Sequence, residues 1–232
     1  MKNKATNAKV FLSHLATHKV TTQELSKELE FFGMSGFVAH EDIEPTQEWQ
    51  TRIEEELLAM DGLVALLVEG FSESNWCDQE VGAAVGRQVP FIAIKQGIDP
   101  YGFVGKYQAL QGTGFSSKEL AKRICELFLA EPNTGPKITA SLVQQLIVSR
   151  SWERSRQLIR LIEKSKYLTA DDKVAMQRAA INNKEVREAF DGEQMISHTI
   201  DKLTVSKRLE NTDNWLHTIA RWLLGLNKTT PD

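Results

Sequence analysis

Short apolar runs alternate with amphipathic stretches through the first 130 residues, and this alternation restricts the possible folds more than any other feature of the chain. The apolar runs predict strands at 9–14, 36–39, 63–68 and 90–94, and the amphipathic stretches predict helices at 22–32, 48–60, 75–86 and 116–130. Strands that are apolar on both faces and alternate with helices form a parallel sheet covered on both sides. We therefore predict an α/β fold with a flavodoxin-like doubly wound parallel sheet, whose fifth, edge strand lies within 107–113.

The segment 131–136, Glu-Pro-Asn-Thr-Gly-Pro, breaks this alternation and has no periodicity of its own. Beyond it the apolar spacing predicts only helices, at 138–150, 151–166, 170–181, 184–190, 193–209 and 212–226, with Asp191-Gly192 as an interruption. We predict an α/β domain at 1–131, a linker at 132–137 and a small all-α helical domain at 138–232. The aromatic residues of that second domain are interpreted as core residues: Trp152, Phe190, Trp215 and Trp222.

Charge is distributed unevenly between the two predicted domains. Residues 1–135 carry 12 Lys and Arg against 19 Asp and Glu, a net charge of −7, and residues 136–232 carry 16 against 12, a net charge of +4. This asymmetry indicates either two units with different partners or two units that attract each other. The basic half has no run of five like charges and little aromatic interleaving, which does not favour binding to nucleic acid.

Cysteine usage and hydropathy predict the compartment. Cys77 and Cys125 form no Cys-x-x-Cys motif, and no His pair completes a zinc ligand set, so we expect reduced thiols and no structural metal. The N-terminal residues are polar, and the longest apolar runs are five or six residues, against about 20 for a membrane span. The expectation is a cytoplasmic protein without a membrane partner.

Several enzyme classes built on similar sheets lack their motifs here. No Gly-x-Gly-x-x-Gly follows the first strand, and there is no Gly-x-x-x-x-Gly-Lys-Ser/Thr and no Gly-x-Ser-x-Gly. The first and third strands end without the acidic pocket of a phosphoacceptor domain. These absences argue against a Rossmann dehydrogenase, a P-loop NTPase, an α/β-hydrolase and a receiver domain.

Trp76 and Glu80 form the most informative local pattern. They follow the third strand at the start of a helix, and because they are four residues apart they share one helical face beside the strand ends. An indole and a carboxylate on one face suit a substrate that is flat, aromatic and cationic in its reacting state. A structural interpretation stays open, in which Trp76 packs into the core and acidic residues stabilise the helix start.

Four motifs then occur in the order and spacing of a bacterial Toll/interleukin-1 receptor (TIR) domain, and residues 7–130 resemble that family. The motifs are Phe11-Leu-Ser-His14, the loop 37–45 (Phe-Val-Ala-His-Glu-Asp-Ile-Glu-Pro), Trp49 with Ile53, and Ser74-x-Trp-Cys-x-x-Glu80. The chain departs from the family pattern in the loop after the second strand. Ala39 stands where many relatives have Asp, and Pro45-Thr46 replaces the usual Pro-Gly.

The resemblance implies an NAD⁺ nucleosidase that releases nicotinamide and either ADP-ribose or a cyclic isomer, with NAD⁺ as substrate and no bound cofactor. It implies that Glu80 is catalytic and that the substrate is bound by Ser13, His14, Leu15, Glu44 and Trp76. It also implies self-association through TIR domains and a place in bacterial anti-phage defence. The helical half would then be a sensor or assembly module that answers to a protein or nucleotide trigger. The alternative is a non-enzymatic TIR adaptor that acts through TIR–TIR assembly.

Overall fold

The computed structural model describes residues 7–39, 47–191 and 194–203. Contacts divide the chain into two compact units, the first formed by residues 1–145 with 164–168 and the second by 146–163 with 169–232. Among the described residues, no helix has both the length and the apolar character that a membrane span requires.

A parallel sheet of five strands lies at the centre of the first unit. Its strands are β1 (Ala8–Ser13), β2 (Met34–Val38), β3 (Gly62–Leu67), β4 (Phe91–Lys95) and β5 (Leu110–Gln111), in the order β2-β1-β3-β4-β5. Every neighbouring pair is parallel, and β3 is buried along its whole length. The predicted flavodoxin-like sheet is confirmed, including the short fifth strand within 107–113.

Helices cover the sheet. They are α1 (Lys19–Phe31), α2 (Gln47–Ala59), α3 (Asn75–Gly86), α4 (Ser117–Ala130) and α5 (Gly135–Ile147), with short 3₁₀ turns at Ala16–His18, Phe71–Glu73 and Gly102–Val104. α1 packs against α4, and α2 packs against α3. Helix α4 starts with a capping box, in which Ser116 and Glu119 exchange two hydrogen bonds.

Helix α5 begins inside the segment predicted to be a linker, and the first unit continues along it to Gln145. Ile138, Leu142 and Val143 are each fully buried, and the Lys137 ammonium pairs with the Asp61 carboxylate at 2.5 Å. A chain cut at the predicted linker would therefore lose part of the compact unit. The domain limits of 1–131 and 138–232 themselves stay a prediction.

The second unit is mainly helical, with α6 (Trp152–Glu163), α7 (Ala170–Asn182) and α8 (Lys184–Arg187). The chain is helical again from 196 to 203, the last described residue, so the predicted helix at 212–226 lies outside the described residues. Trp152 is 54% exposed at the start of α6, and its assignment to the core is wrong. The side chain of Phe190, and all of Trp215 and Trp222, also lie outside the described part.

The expectation of helices alone is wrong at 190–195. There β6 (Phe190–Asp191) and β7 (Gln194–Met195) form an antiparallel pair, with Asp191 opposite Gln194. The sequence has Asp191-Gly192 at this point. In the sequence it was interpreted only as a break between helices.

The docking of α5 generates a stability prediction at Gly33, which follows α1. Gly33 has φ of +74°, and a Cβ placed there would lie 2.7 Å from the Cβ of Ser141 on α5. We expect Gly33→Ala to lower the free energy of unfolding by about 1–3 kcal/mol, because the left-handed backbone and the close contact both oppose a side chain. Urea unfolding of the full chain measures this loss.

Gly82→Ala is the matched control. Gly82 lies inside α3, where an added Cβ meets nothing within 4 Å. This substitution should raise the unfolding free energy by about 0.5–1 kcal/mol, since alanine loses less conformational entropy in a helix. Equal stability of wild type and Gly33→Ala would contradict the packing described for α5.

Candidate functional site

The strand order reverses at the β1/β3 boundary, and the candidate site lies at the carboxyl ends of these two strands. This is the switch point at which ligands bind in open α/β sheets. β1 ends at Ser13, and β3 leads through Gly70, whose φ is +84°, into a 3₁₀ turn and then α3. Ser74 caps α3, with its side chain accepting a hydrogen bond from the Cys77 amide. These elements direct α3 across the end of β1.

Glu80 and Ser13 meet at this edge. The Ser13 hydroxyl donates a hydrogen bond of 2.6 Å to the Oε2 atom of Glu80. Ser13 is fully buried and Glu80 is 5% exposed. A hydrogen bond of this length between a hydroxyl and a carboxylate is typical of a charge-assisted pair. The structure therefore brings together two of the residues that the sequence analysis named, although they are 67 positions apart.

Trp76 lies one turn before Glu80 on α3 and is half-buried. Its ring meets that of Trp49, on α2, edge to face, with centroids 5.3 Å apart and an interplanar angle of 79°. Such aromatic pairs contribute about 0.5–1.5 kcal/mol beyond their buried area. Trp76 thus has a packing role at the edge of the site, in agreement with part of the structural interpretation.

His14 and Leu15 follow β1. His14 is buried, and its Nδ1 lies 2.8 Å from the carbonyl oxygen of Leu12. A carbonyl only accepts, so Nδ1 carries a hydrogen and donates it to Leu12. The Cys77 thiol donates to the His14 carbonyl at 3.6 Å, which joins α3 to β1 a second time. Leu15 packs against the hydrophobic core, and Glu44 lies outside the described residues.

A third attachment of α3 has no signal in the sequence. Tyr101, in the loop after β4, donates a 2.6 Å hydrogen bond to Oδ1 of Asp78. Burial, followed by this hydrogen bond and the nearby Asp78 charge, raises the pKa of Tyr101 above its ordinary value. No motif links the two residues, which are 23 positions apart and meet only because β3 and β4 are neighbours.

The surroundings of the site contain no metal cluster among the described residues, since no three His, Cys, Asp or Glu side chains are grouped there as potential ligands. A groove of about 470 Å³ is lined by residues of α1, β2 and α2, including Phe37, Trp49 and Ile53. Glu80 is not part of that lining.

Comparison with known proteins now identifies the family. A model of the TIR domain family matches residues 10–125, half of the chain. The chain belongs to the TIR domain family. No curated protein matched it. Among solved structures, it is similar to the crystal structure of the TIR domain of the Toll-related receptor TRR-2 from Hydra magnipapillata, with 17% identity and a TM-score of 0.37. That match covers 44% of this chain and 81% of the other.

The hydrogen bond between Tyr101 and Asp78, which attaches α3 to the loop after β4, can be tested through the raised pKa of Tyr101. In an absorbance titration of the tyrosines, Tyr101 should ionise above the ordinary pH of about 10, because burial and, after it, the hydrogen bond to Asp78 and the Asp78 charge all disfavour the ionised form. Tyr101→Phe should remove the late phase of the titration, and Asp78→Asn should move it to lower pH. The stability contributed by this bond is present below pH 10 and is lost as Tyr101 ionises.

Tyr107→Phe serves as the control, because Tyr107 packs against Phe91 with the rings tilted by 43° and has no part in the Asp78 contact. It should leave the late phase in place. If Asp78→Asn leaves the titration of Tyr101 unchanged, Asp78 makes no contribution to the shift and the described attachment is incorrect.

Proposed function

We propose that this TIR protein cleaves NAD⁺ between nicotinamide and ribose, with Glu80 as the catalytic carboxylate. The observation that carries the proposal is the buried Glu80 carboxylate at the switch point, hydrogen-bonded to Ser13 and one helical turn from an indole. Membership of the TIR family supports the proposal, since the family includes both NAD⁺-cleaving enzymes and scaffolds.

The chemistry requires only one carboxylate. When the C1′–N bond of NAD⁺ breaks, its electron pair goes to the ring nitrogen, and the cationic pyridinium leaves as neutral nicotinamide. Most glycosidases need a second carboxyl group to protonate the leaving group, but this leaving group is already activated by its positive charge. Positive charge develops on the ribose in the transition state, and a fixed carboxylate stabilises it. Water then attacks C1′ and releases a proton, which gives ADP-ribose.

The environment of Glu80 suits this role. Glu80 as a whole residue is 5% exposed, so little water competes with its attraction for a developing cation. Ser13 donates to it, and a hydrogen bond to the charged form favours ionisation. We propose that Trp76 offers an aromatic surface to the substrate and that His14, Leu15 and Glu44 are further contacts.

The buried carboxylate also favours an enzyme over the alternative of a non-enzymatic adaptor. Burial of an ionisable group costs several kcal/mol unless hydrogen bonds compensate it. A protein that acts only through TIR–TIR assembly gains nothing from burying a carboxylate at this edge of the sheet, so the free-energy cost of burial would have no purpose there. A cyclic product would form if the adenine, instead of water, attacked C1′. The proposed setting is bacterial anti-phage defence, with the helical half as sensor or assembly module for a protein or nucleotide trigger.

Glu80→Gln is the direct test. Glutamine keeps the shape and an oxygen that accepts from Ser13, but it removes the charge. We expect it to lower the rate of nicotinamide release from NAD⁺ by at least about a hundredfold, the scale of a lost electrostatic stabiliser. Release is measured by chromatography, and thermal melting of both proteins shows that the fold is kept.

Glu73→Gln is the matched control, because Glu73 is an exposed carboxylate in the 3₁₀ turn before α3. It should retain the wild-type rate. Equal turnover by wild type and Glu80→Gln would reject Glu80 as the catalytic residue, and no cleavage by concentrated wild type with any nucleotide tested would favour the adaptor.

We further propose that assembly switches the activity on. TIR domains generally self-associate. Glu80 and His14 are each only 5% exposed in the single chain, so groups around the carboxylate must be displaced before ribose can reach it. The segment 40–48 carries Glu41, Asp42, Glu44 and Glu48, and its first seven residues lie outside the described part. Contacts of this segment with a neighbouring domain would supply the displacement.

The specific activity should consequently rise with protein concentration. We expect this rise to follow the appearance of oligomers in light scattering, because each active site would need a neighbouring chain. Constant specific activity over a concentration range in which the protein stays a monomer would refute switching by assembly.

A further inference from the structure

The contact of Ser13 with Glu80 bears on the role of the serine itself. Ser13 is the last residue of β1 and is fully buried. Its hydroxyl has a single hydrogen, and an ionised carboxylate can only accept. That hydrogen is directed to Oε2 of Glu80 at 2.6 Å. Ser13 therefore has no second hydrogen to donate to a substrate while Glu80 is ionised.

The two residues have different degrees of freedom. Ser13 lies on a strand that is hydrogen-bonded on both sides, to β2 and to β3, so its position is fixed by the sheet. Glu80 has a longer side chain with more rotamers, and it extends from a helix that begins only six residues earlier, at Ser74 and Asn75. A bond between them fixes the flexible side chain to the rigid strand and sets the rotation of the carboxylate plane.

We infer that Ser13 is a positioning residue for Glu80, holding its carboxylate in one orientation and in its ionised form, and that its buried hydroxyl donates no hydrogen bond to substrate. This inference rests on the proposed function for its consequence in catalysis, but the pairing itself can be measured without any activity. It replaces the expectation that Ser13 is a substrate contact.

Other titratable groups near this pair must be considered in any pH measurement. The described elements bring His14 from directly after β1, Cys77 and Asp78 from α3, and Tyr101 from the loop after β4 to the same edge of the sheet. Each of these groups is present in both wild type and a Ser13 variant. A difference between the two titrations therefore reports the Ser13 hydroxyl.

The first experiment is a pH titration followed by NMR of the full chain, labelled with ¹³C at the glutamate side-chain carboxyl. The Glu80 signal is assigned by its absence in Glu80→Gln. In Ser13→Ala the titration midpoint of Glu80 should rise by about one pH unit, since loss of a donor to the charged form disfavours ionisation. An unchanged midpoint would overturn the inference.

Matched variants separate this effect from a general loss of structure. Ser26→Ala removes another hydroxyl of the first unit, one that donates to the Gly36 carbonyl at 2.9 Å, and it should leave the Glu80 midpoint unchanged. If Ser13→Ala does not fold, Ser13→Thr and Ser13→Val provide an isosteric pair. The threonine variant should keep the wild-type midpoint, and the valine variant should show the shift. The same midpoint in both would also overturn the inference.

The second experiment measures kcat and KM for NAD⁺ cleavage. A positioning role predicts that Ser13→Ala lowers kcat by about tenfold or more with little change in KM, because the lost interaction supports the transition state. A raised KM with unchanged kcat would instead identify Ser13 as a substrate contact and reject the positioning role. If wild type itself cleaves no NAD⁺, the proposed function fails, and the NMR result still decides whether Ser13 controls Glu80.

Discussion

Placing a carboxylate inside the ligand-binding edge of the sheet is the constraint on which the rest of this site depends. An isolated buried carboxylate would take up a proton and lose the charge that the chemistry needs. The Ser13 hydroxyl opposes this outcome by donating to Glu80 at 2.6 Å. The carboxylate proposed to be catalytic and its neighbour on β1 are therefore one unit, and neither can be understood from its local sequence alone.

The strand order makes that unit possible. Because β1 lies between β2 and β3, the helix that follows β3 starts beside the end of β1. α3 is then attached on three sides. Ser13 and the His14 carbonyl hold it at the end of β1, Trp49 holds it on α2, and Tyr101 holds it after β4. Three attachments to separate elements restrict both the rotation and the translation of one helix. A carboxylate one turn into such a helix has a well-defined position.

Much of the first unit could be predicted from sequence because its signals are local. The predicted α3 matches the observed Asn75–Gly86, since Ser74 provides a cap and apolar residues recur at helical spacing. Hydrogen bonds between residues far apart in the sequence have no such local signal. The Ser13–Glu80 bond spans 67 positions and forms only because of the strand order. The prolines of 132–137 suggested a linker, yet Pro136 lies in the first turn of α5, where a missing N–H costs nothing.

This assignment of α5 changes which part of the chain supports the site. Asp61, at the amino end of the sheet, accepts a hydrogen bond from the Lys9 amide at the start of β1 and pairs with Lys137 of α5. Glu80 accepts from Ser13 at the other end of the same strand. β1 is thus fixed at each end by a carboxylate, one connected to α5 and one to the proposed chemistry. The family match ends at 125, but the structure that holds β1 in place extends beyond it to α5.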